Sequence, residues 1–239
     1  MSSPIPLPGT HNLRTVVAPG LRAGALLRSD APDLGARSWR ALAALGVRTV
    51  IDLRGDNERG QAPVGTLASA AGIRLRSAPV FASGAADYVA SGASIDELYA
   101  DLLDRHAPGV VAAVAAIAGA REGAVLVHCS AGKDRTGVVV ALVLLTIDVD
   151  RAAIIADYTL SERLLGERWL PARLRWLRGF HSEEVLRDSL ELIAGSPGRA
   201  IDAVIDRLDS EWGGAEGFLR AHGLPDAAIA ALRRRFRAP

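Results

Sequence analysis

Cysteine occurs once in the 239 residues, at Cys129, and lysine once, at Lys133. A single cysteine excludes an intrachain disulfide and a cysteine-rich metal cluster, which fits a reducing compartment or indifference to redox state. Neither sign of charge is in excess: 28 basic and 27 acidic side chains leave a formal charge of +1. That removes the broad electrostatic basis for binding nucleic acid or an anionic membrane surface. Any anion binding must be local. No apolar run approaches the roughly 20 residues a membrane-spanning helix needs; Val138 to Leu145 reads as a buried helix, and no integral membrane segment is expected. Met1 to Gly9 carries neither the basic leader nor the apolar stretch of a secretory signal. A cytoplasmic location, or export without a recognisable signal, is expected.

Apolar residues make up 49% of the chain and charged ones 23%, enough to bury one core, so residues 1–239 are expected to form one domain. Pro4, Pro6 and Pro8 predict an extended, solvated lead-in over residues 1–20. Strand patterns over Leu21 to Arg28 and Val47 to Leu53 flank an amphipathic helix from Leu34 to Leu45, which Gly46 ends. A small helix near Val64 to Ala71 precedes a strand over Ile73 to Val80, and Phe81 to Gly92 reads as a loop. Ser94 and Glu97 have capping-box spacing and start a helix running to Asp104; Pro108 opens another, ending near Ala120. Ala124 to His128 is a short apolar strand, and an apolar helix begins near Thr136. Beyond Asp150 the pattern is helical, interrupted at glycines. Together these give an α/β fold: a mainly parallel central sheet flanked by helices, with a helical C-terminal extension.

The chemistry concentrates in His128-Cys129-Ser130-Ala131-Gly132-Lys133-Asp134-Arg135-Thr136. A loop that leaves a strand and enters a helix gathers free N–H groups and the positive end of a dipole. A cysteine and an arginine six positions apart can close such a loop around a tetraoxyanion, the guanidinium offering two parallel donors. The thiolate is the nucleophilic form, and the dipole, the loop amides and two nearby cations favour it. Ser130, Ala131, Gly132 and Lys133 are the expected binding residues, with Thr136 donating its hydroxyl to the sulfur.

This segment resembles the His-Cys-x5-Arg-Thr signature of the cysteine-dependent protein tyrosine phosphatase superfamily. With Gly132-Lys133-Asp134-Arg135-Thr136 it is similar to the atypical bacterial tyrosine phosphatases of the mycobacterial phosphatase B type. The loop of that group is itself similar to that of phosphoinositide phosphatases. Leu26, Arg28, Ser29 and Asp30, then Val50-Ile51-Asp52-Leu53-Arg54 followed by Glu58, and Ala156-Asp157-Tyr158 resemble further blocks of the family, as does Gly214 to Gly223. The chain departs near its start, where the family has Asn-x-Arg-Asp before paired glycines; here Asn12, Leu13 and Arg14 precede Thr15, Val16 and Val17.

The resemblance implies hydrolysis of phosphomonoesters without metal or cofactor. Cys129 attacks phosphorus in line, Arg135 and the loop amides hold the equatorial oxygens, and water hydrolyses the phosphocysteine. The implied substrates are phosphotyrosine proteins, with phosphoserine, phosphothreonine and phosphoinositides as a broader range, acted on by a monomer. The leaving oxygen needs a proton, and the family's loop aspartate maps to Asp134; Asp52 and Asp87 are the alternatives. Asp52 and Arg54 are expected to pair under the loop, which His128 orients from below. Lys133 would add a cation for substrates carrying more than one phosphate.

Rival readings are a phosphate-binding pseudophosphatase without turnover, and a thiol sensor or sulfur carrier, which the Arg135-Thr136 ending and the missing second cysteine disfavour. Asp134 stands where a nucleotide-binding Walker loop has serine or threonine, and Ser130 lacks the Gly-x-Ser-x-Gly elbow of serine hydrolases. Trp169 and Trp176, seven apart among Arg163, Arg168, Arg173, Arg175 and Arg178, leave two readings open. They mark a core face with a charged rim, or a movable helical cover within residues 150–195. Arg233, Arg234, Arg235 and Arg237 read as a solvated helix end.

Overall fold

The computed structural model describes residues 2–32, 35–59, 64–82 and 86–239. Five strands, β1 (Arg14–Thr15), β2 (Leu26–Ser29), β3 (Val47–Asp52), β4 (Arg74–Ser77) and β5 (Ala124–His128), form one sheet in the order β1-β2-β5-β3-β4. Only β1 runs antiparallel to its neighbour; β2, β5, β3 and β4 are parallel. Parallel strands need helical crossovers that cover both faces, and the sequence shows it most plainly in the apolar run of the central strand β5, whereas the edge strand β4 keeps polar, part-exposed positions. All five residues of β5 are buried.

Helices α1 (Ala36–Ala44), α2 (Asp56–Arg59), α3 (Val64–Ala70), α4 (Ala86–Ser91), α5 (Ile95–Leu103) and α6 (Ala107–Ala118) precede β5. On one face Val50, Leu126 and Leu27 pack with Trp39 and Leu42 of α1 and Ala68 of α3. On the other, Leu26, Ile51, Val125 and Val127 meet the larger core. That core surrounds α7 (Asp134–Thr146), buried at every position except Leu145, which is why Val138 to Leu145 lacks a polar face. The remaining chain forms α8 (Arg151–Gly166), α9 (Trp169–Leu177), α10 (Glu183–Asp188), α11 (Leu190–Ala194), α12 (Gly198–Trp212), α13 (Ala215–Ala221) and α14 (Asp226–Phe236). Among the described residues no helix is long and apolar enough to cross a membrane.

Several local expectations hold. Ser94 Oγ accepts from Glu97 N at 3.2 Å and Ser94 N donates to Glu97 Oε2 at 2.7 Å, a complete capping box at the start of α5. Gly46, at φ +84°, follows α1 in the left-handed conformation that ends helices. Others need correction. The lead-in is neither extended nor solvated throughout: the chain turns at Pro8 and Gly9, Ser2, Asn12, Leu13, Arg14 and Val16 are buried, and Arg14 pairs with Arg28 as β1. The expected strand from Leu21 shrinks to Leu26–Ser29, because Gly24 turns the chain at φ +69°. The expected Ile73–Val80 strand pairs only over Arg74–Ser77. Phe81 to Gly92 is not all loop, since Val89 buries itself and carries α4; positions 83–85 of that stretch, and Leu34 of the first helix, lie outside the described residues. Finally, α7 starts two residues before Thr136, which puts Asp134 and Arg135 in its first turn.

Candidate active site

Cys129 follows β5 directly, and the loop from it to Arg135 runs into the N-terminus of α7. Four successive loop carbonyls are tied outward. Ser130 O accepts from Ala31 N at 2.9 Å, and Ala131 O from Asn12 Nδ2 at 2.9 Å. Gly132 O accepts from Asn12 Nδ2 at 3.2 Å and from Arg28 Nη2 at 2.7 Å, and Lys133 O from Arg28 Nη2 at 3.2 Å. None of the N–H groups of Ser130, Ala131, Gly132 and Lys133 has a hydrogen-bond partner among the described residues. Carbonyls taken up by donors and amides left without a protein partner are what an anion nest requires. Gly132 is required for it: φ is +68°, and a Cβ there would stand 2.0 Å from Ser29 O.

The donors to those carbonyls are fixed by buried charge. Arg14 Nε donates to Asp157 Oδ1 at 3.0 Å and Arg28 Nη1 to Asp157 Oδ2 at 2.8 Å, so one carboxylate of α8 orients two guanidiniums. Burial pushes the Asp157 carboxyl up, but the charges of Arg28 and Arg14 outweigh it and hold the group below the usual range. Burial, with Arg28 beside it, brings Arg14 down to about 10 despite the pull of Asp157. Asp30 Oδ1 accepts from His11 N and Asn12 N, both at 2.9 Å, and so presents Asn12 to the loop. The buried N-terminal segment is therefore part of the site.

Arg135 is gripped by Glu58, with Nη1 to Oε2 at 2.5 Å and Nη2 to Oε1 at 2.7 Å. Glu58 Oε1 also accepts from Ser130 Oγ at 2.6 Å, and Phe81 lies under the guanidinium with its ring centroid 4.7 Å from Cζ. Asp52 and Arg54 form the expected ion pair, Nη2 to Oδ2 at 2.9 Å and Nε to Oδ1 at 3.0 Å. His128 sits beside it, Nδ1 at 3.8 Å from Asp52 Oδ1, and burial holds its imidazole below its ordinary range.

Asp134 faces a narrow cavity of about 30 Å³ shared with Cys129, Ser130 and Arg135. Its Oδ1 accepts from Tyr99 Oη at 3.1 Å and from Lys133 Nζ at 2.6 Å, and Oδ2 has no side-chain partner among the described residues. Tyr99 Oη in turn meets Tyr158 Oη at 2.7 Å. Lys133, expected to face substrate, is fully buried instead, and its ammonium also donates to Leu192 O of α11 at 3.2 Å. A loop lysine beside a buried carboxylate neutralises that carboxylate in preference to reaching solvent. The cavity is roofed by Trp169, Arg173 and Leu177 of α9 and by Leu192 and Ile193 of α11, and Cys129 is 2% exposed. The two tryptophans are not one core face: Trp169 packs against the core, whereas Trp176 is 51% exposed.

The structure thus brings Cys129, Ser130, Ala131, Asp134 and Arg135 to one cavity. Thr136 is buried behind the loop, with Oγ1 unpartnered among the described residues. Asp52 is buried under Arg54 and away from the cavity lining, and Asp87 is exposed on α4. Glu58, Asn12, Arg14, Tyr99 and Arg173 were not singled out from the sequence as working parts of the site. Three kinds of signal were there: Glu58 follows Arg54 in the strand block, Asn12 and Arg14 keep two positions of the Asn-x-Arg-Asp stretch, and Arg173 lies in the segment that reads as a core face or a cover; Tyr99 carried none.

A model of the tyrosine phosphatase family matches residues 5–238. A tyrosine-protein phosphatase of Nostoc commune is 32% identical over 201 residues, covering 81% of this chain and 67% of that protein. The triple specificity protein phosphatase PtpB of Mycobacterium tuberculosis is 29% identical over 272 residues, covering 95% of this chain and 96% of its own. Among solved structures, TpbA of P. aeruginosa aligns with 21% identity and a TM-score of 0.38 over 86% of this chain and 96% of that one. The family match runs almost end to end over a chain whose one cysteine heads an amide-lined loop closed by arginine: this chain belongs to the tyrosine phosphatase family and is an enzyme of that class.

Proposed function

We propose that the chain hydrolyses phosphomonoesters through a phosphocysteine intermediate on Cys129, with phosphotyrosine as the principal substrate. The observation that carries this reading is the row of four outward-tied carbonyls around a buried thiol, which leaves the loop amides for an oxyanion. The amides and Arg135 take the equatorial oxygens, whose charge is greatest in the transition state, so their hydrogen bonds strengthen as the reaction proceeds. The Thr136 hydroxyl, with no other partner among the described residues, donates to the sulfur as attacking thiolate and as leaving group. Asp134 protonates the departing oxygen through Oδ2, and Asp52 with Arg54 and His128 supports the loop from below. A range including phosphoserine, phosphothreonine and phosphoinositides is proposed on the likeness to the triple specificity relative.

Residues of α9 and α11 close over Cys129 and leave it 2% exposed, which supports the reading of α9 to α11 as a cover that opens for substrate. Deleting residues 163–179 with the fold retained should speed iodoacetamide labelling of Cys129; unchanged labelling would count against the cover. The deciding assay for the reaction is p-nitrophenyl phosphate hydrolysis in EDTA. The wild type turns over and Cys129→Ser does not. Binding without turnover would make the chain a pseudophosphatase, and loss of rate in EDTA would reject the mechanism.

A further inference from the structure

Among the described residues the cations around the loop are matched with carboxylates, with one exception. Glu58 covers Arg135, Asp134 covers Lys133, and Asp157 covers both Arg14 and Arg28. Arg173 lines the same cavity from α9 and has no ion pair or hydrogen bond among the described residues. Its guanidinium is stacked on Trp176, Cζ 4.4 Å from the ring centroid, which fixes its plane without using its donors. Burial pushes this guanidinium down, with Glu58 drawing it up and Arg135 opposing, so its charge acts within reach of both. A half-buried cation whose donors make no hydrogen bond among the described residues is costly, and an anion arriving with the substrate cancels that cost.

The scissile phosphate already has Arg135 and the loop amides. The group left for Arg173 is a second negative charge on the substrate. The other walls, Val89, Trp169, Leu177, Leu192 and Ile193, are apolar. When the cover opens to widen this space, they suit a phenyl ring between phosphate and peptide backbone, whereas a polyol headgroup would leave its hydroxyls unpaired there. We propose that Arg173 is a specificity-determining residue that pairs with a carboxylate flanking the phosphotyrosine of a protein substrate. This rests on the phosphatase reading above and adds the sequence context it selects.

The test uses two phosphotyrosine peptides that differ only in having Glu or Gln beside the phosphotyrosine, with kcat/KM measured for the full chain and for variants. The wild type should prefer the Glu peptide by about fivefold to tenfold, less at high salt, as a partly desolvated charge pair requires. Arg173→Gln should abolish that preference, Arg173→Lys should keep part of it, and Arg173→Glu should reverse it. Equal wild-type rates on the two peptides, or an unchanged preference in Arg173→Gln, overturn the proposal. So does an equal loss on both peptides, which marks a merely structural role. A third arm compares inositol monophosphate with inositol bisphosphate. If Arg173→Gln erases discrimination there and leaves the peptide preference intact, the partner is a second phosphate and the proposal fails. Turnover of both peptides without preference sinks only the role of Arg173; turnover of neither sinks the hydrolase reading with it.

Discussion

Lys133 Nζ lies 2.6 Å from Asp134 Oδ1 and 3.2 Å from Leu192 O, so the one lysine of the chain joins the loop aspartate to helix α11 of the roof. Its ammonium is fully buried, where a compact group with three rotatable donors fits and a planar guanidinium would demand more room.

Lys133→Met should therefore lower activity by the same factor on phosphotyrosine peptides and on phosphoinositides, because the lost contact is to Asp134 and not to substrate. Removing one partner of a buried ion pair should also cost about 3 kcal/mol of stability. Parallel kcat/KM measurements and urea denaturation check both. A loss confined to multiply phosphorylated substrates would restore the substrate-facing role.

Tyr99→Phe removes the neutral donor from Asp134 Oδ1 and leaves Lys133 in place. If Asp134 is the acid, the loss should be small on p-nitrophenyl phosphate, whose leaving group needs little help. On an alkyl phosphate it should be about tenfold, within the range typical of general acid catalysis. A plot of log kcat/KM against leaving-group acidity should steepen in the variant.

Glu58→Gln keeps the shape of the clamp on Arg135 and removes its charge. We expect kcat to fall by roughly tenfold, with a smaller change in KM, since hydrogen bonds to a charged partner contribute about 1.5–3 kcal/mol. Steady-state kinetics with competitive inhibition by inorganic phosphate separates the two effects.

Acid should loosen the site in a defined order. Burial holds the folded His128 value below its ordinary one, so below about pH 6.5 the unfolded chain binds a proton that the native imidazole refuses, and stability starts to fall. At Asp52, Glu58 and Asp157 burial favours the neutral acid, but Arg54, Arg135 and the Arg28–Arg14 pair outweigh it and depress the folded values. Their contribution is complete above the ordinary carboxylate range of about 4 and disappears as pH falls through the lower folded values. Tm against pH should show both stages. His128→Gln should flatten the upper stage, and Asp157→Asn, which leaves two buried guanidiniums without a countercharge, should lower Tm at neutral pH and flatten the lower stage.

Much of this protein was legible in its sequence because the features concerned are local. The capping box at Ser94 and Glu97, the stop at Gly46 and the apolar strand before Cys129 each depend on neighbours a few residues away. The loop from Cys129 to Arg135 was legible for the same reason: nucleophile, amides and guanidinium come from one continuous segment. What holds that segment in shape comes from far along the chain. Asn12 reaches Ala131 O across 119 residues, and Asp157 reaches Arg14 across 143. Nothing in the composition of residues 1–20 announces that Arg14 will be buried, because three early prolines describe the backbone and not what packs over it. Lys133 makes the same point at closer range. Its charge is evident from the sequence, but whether that charge meets a substrate or a carboxylate depends on which helix covers it, and only the tertiary packing of α11 against the loop decides that.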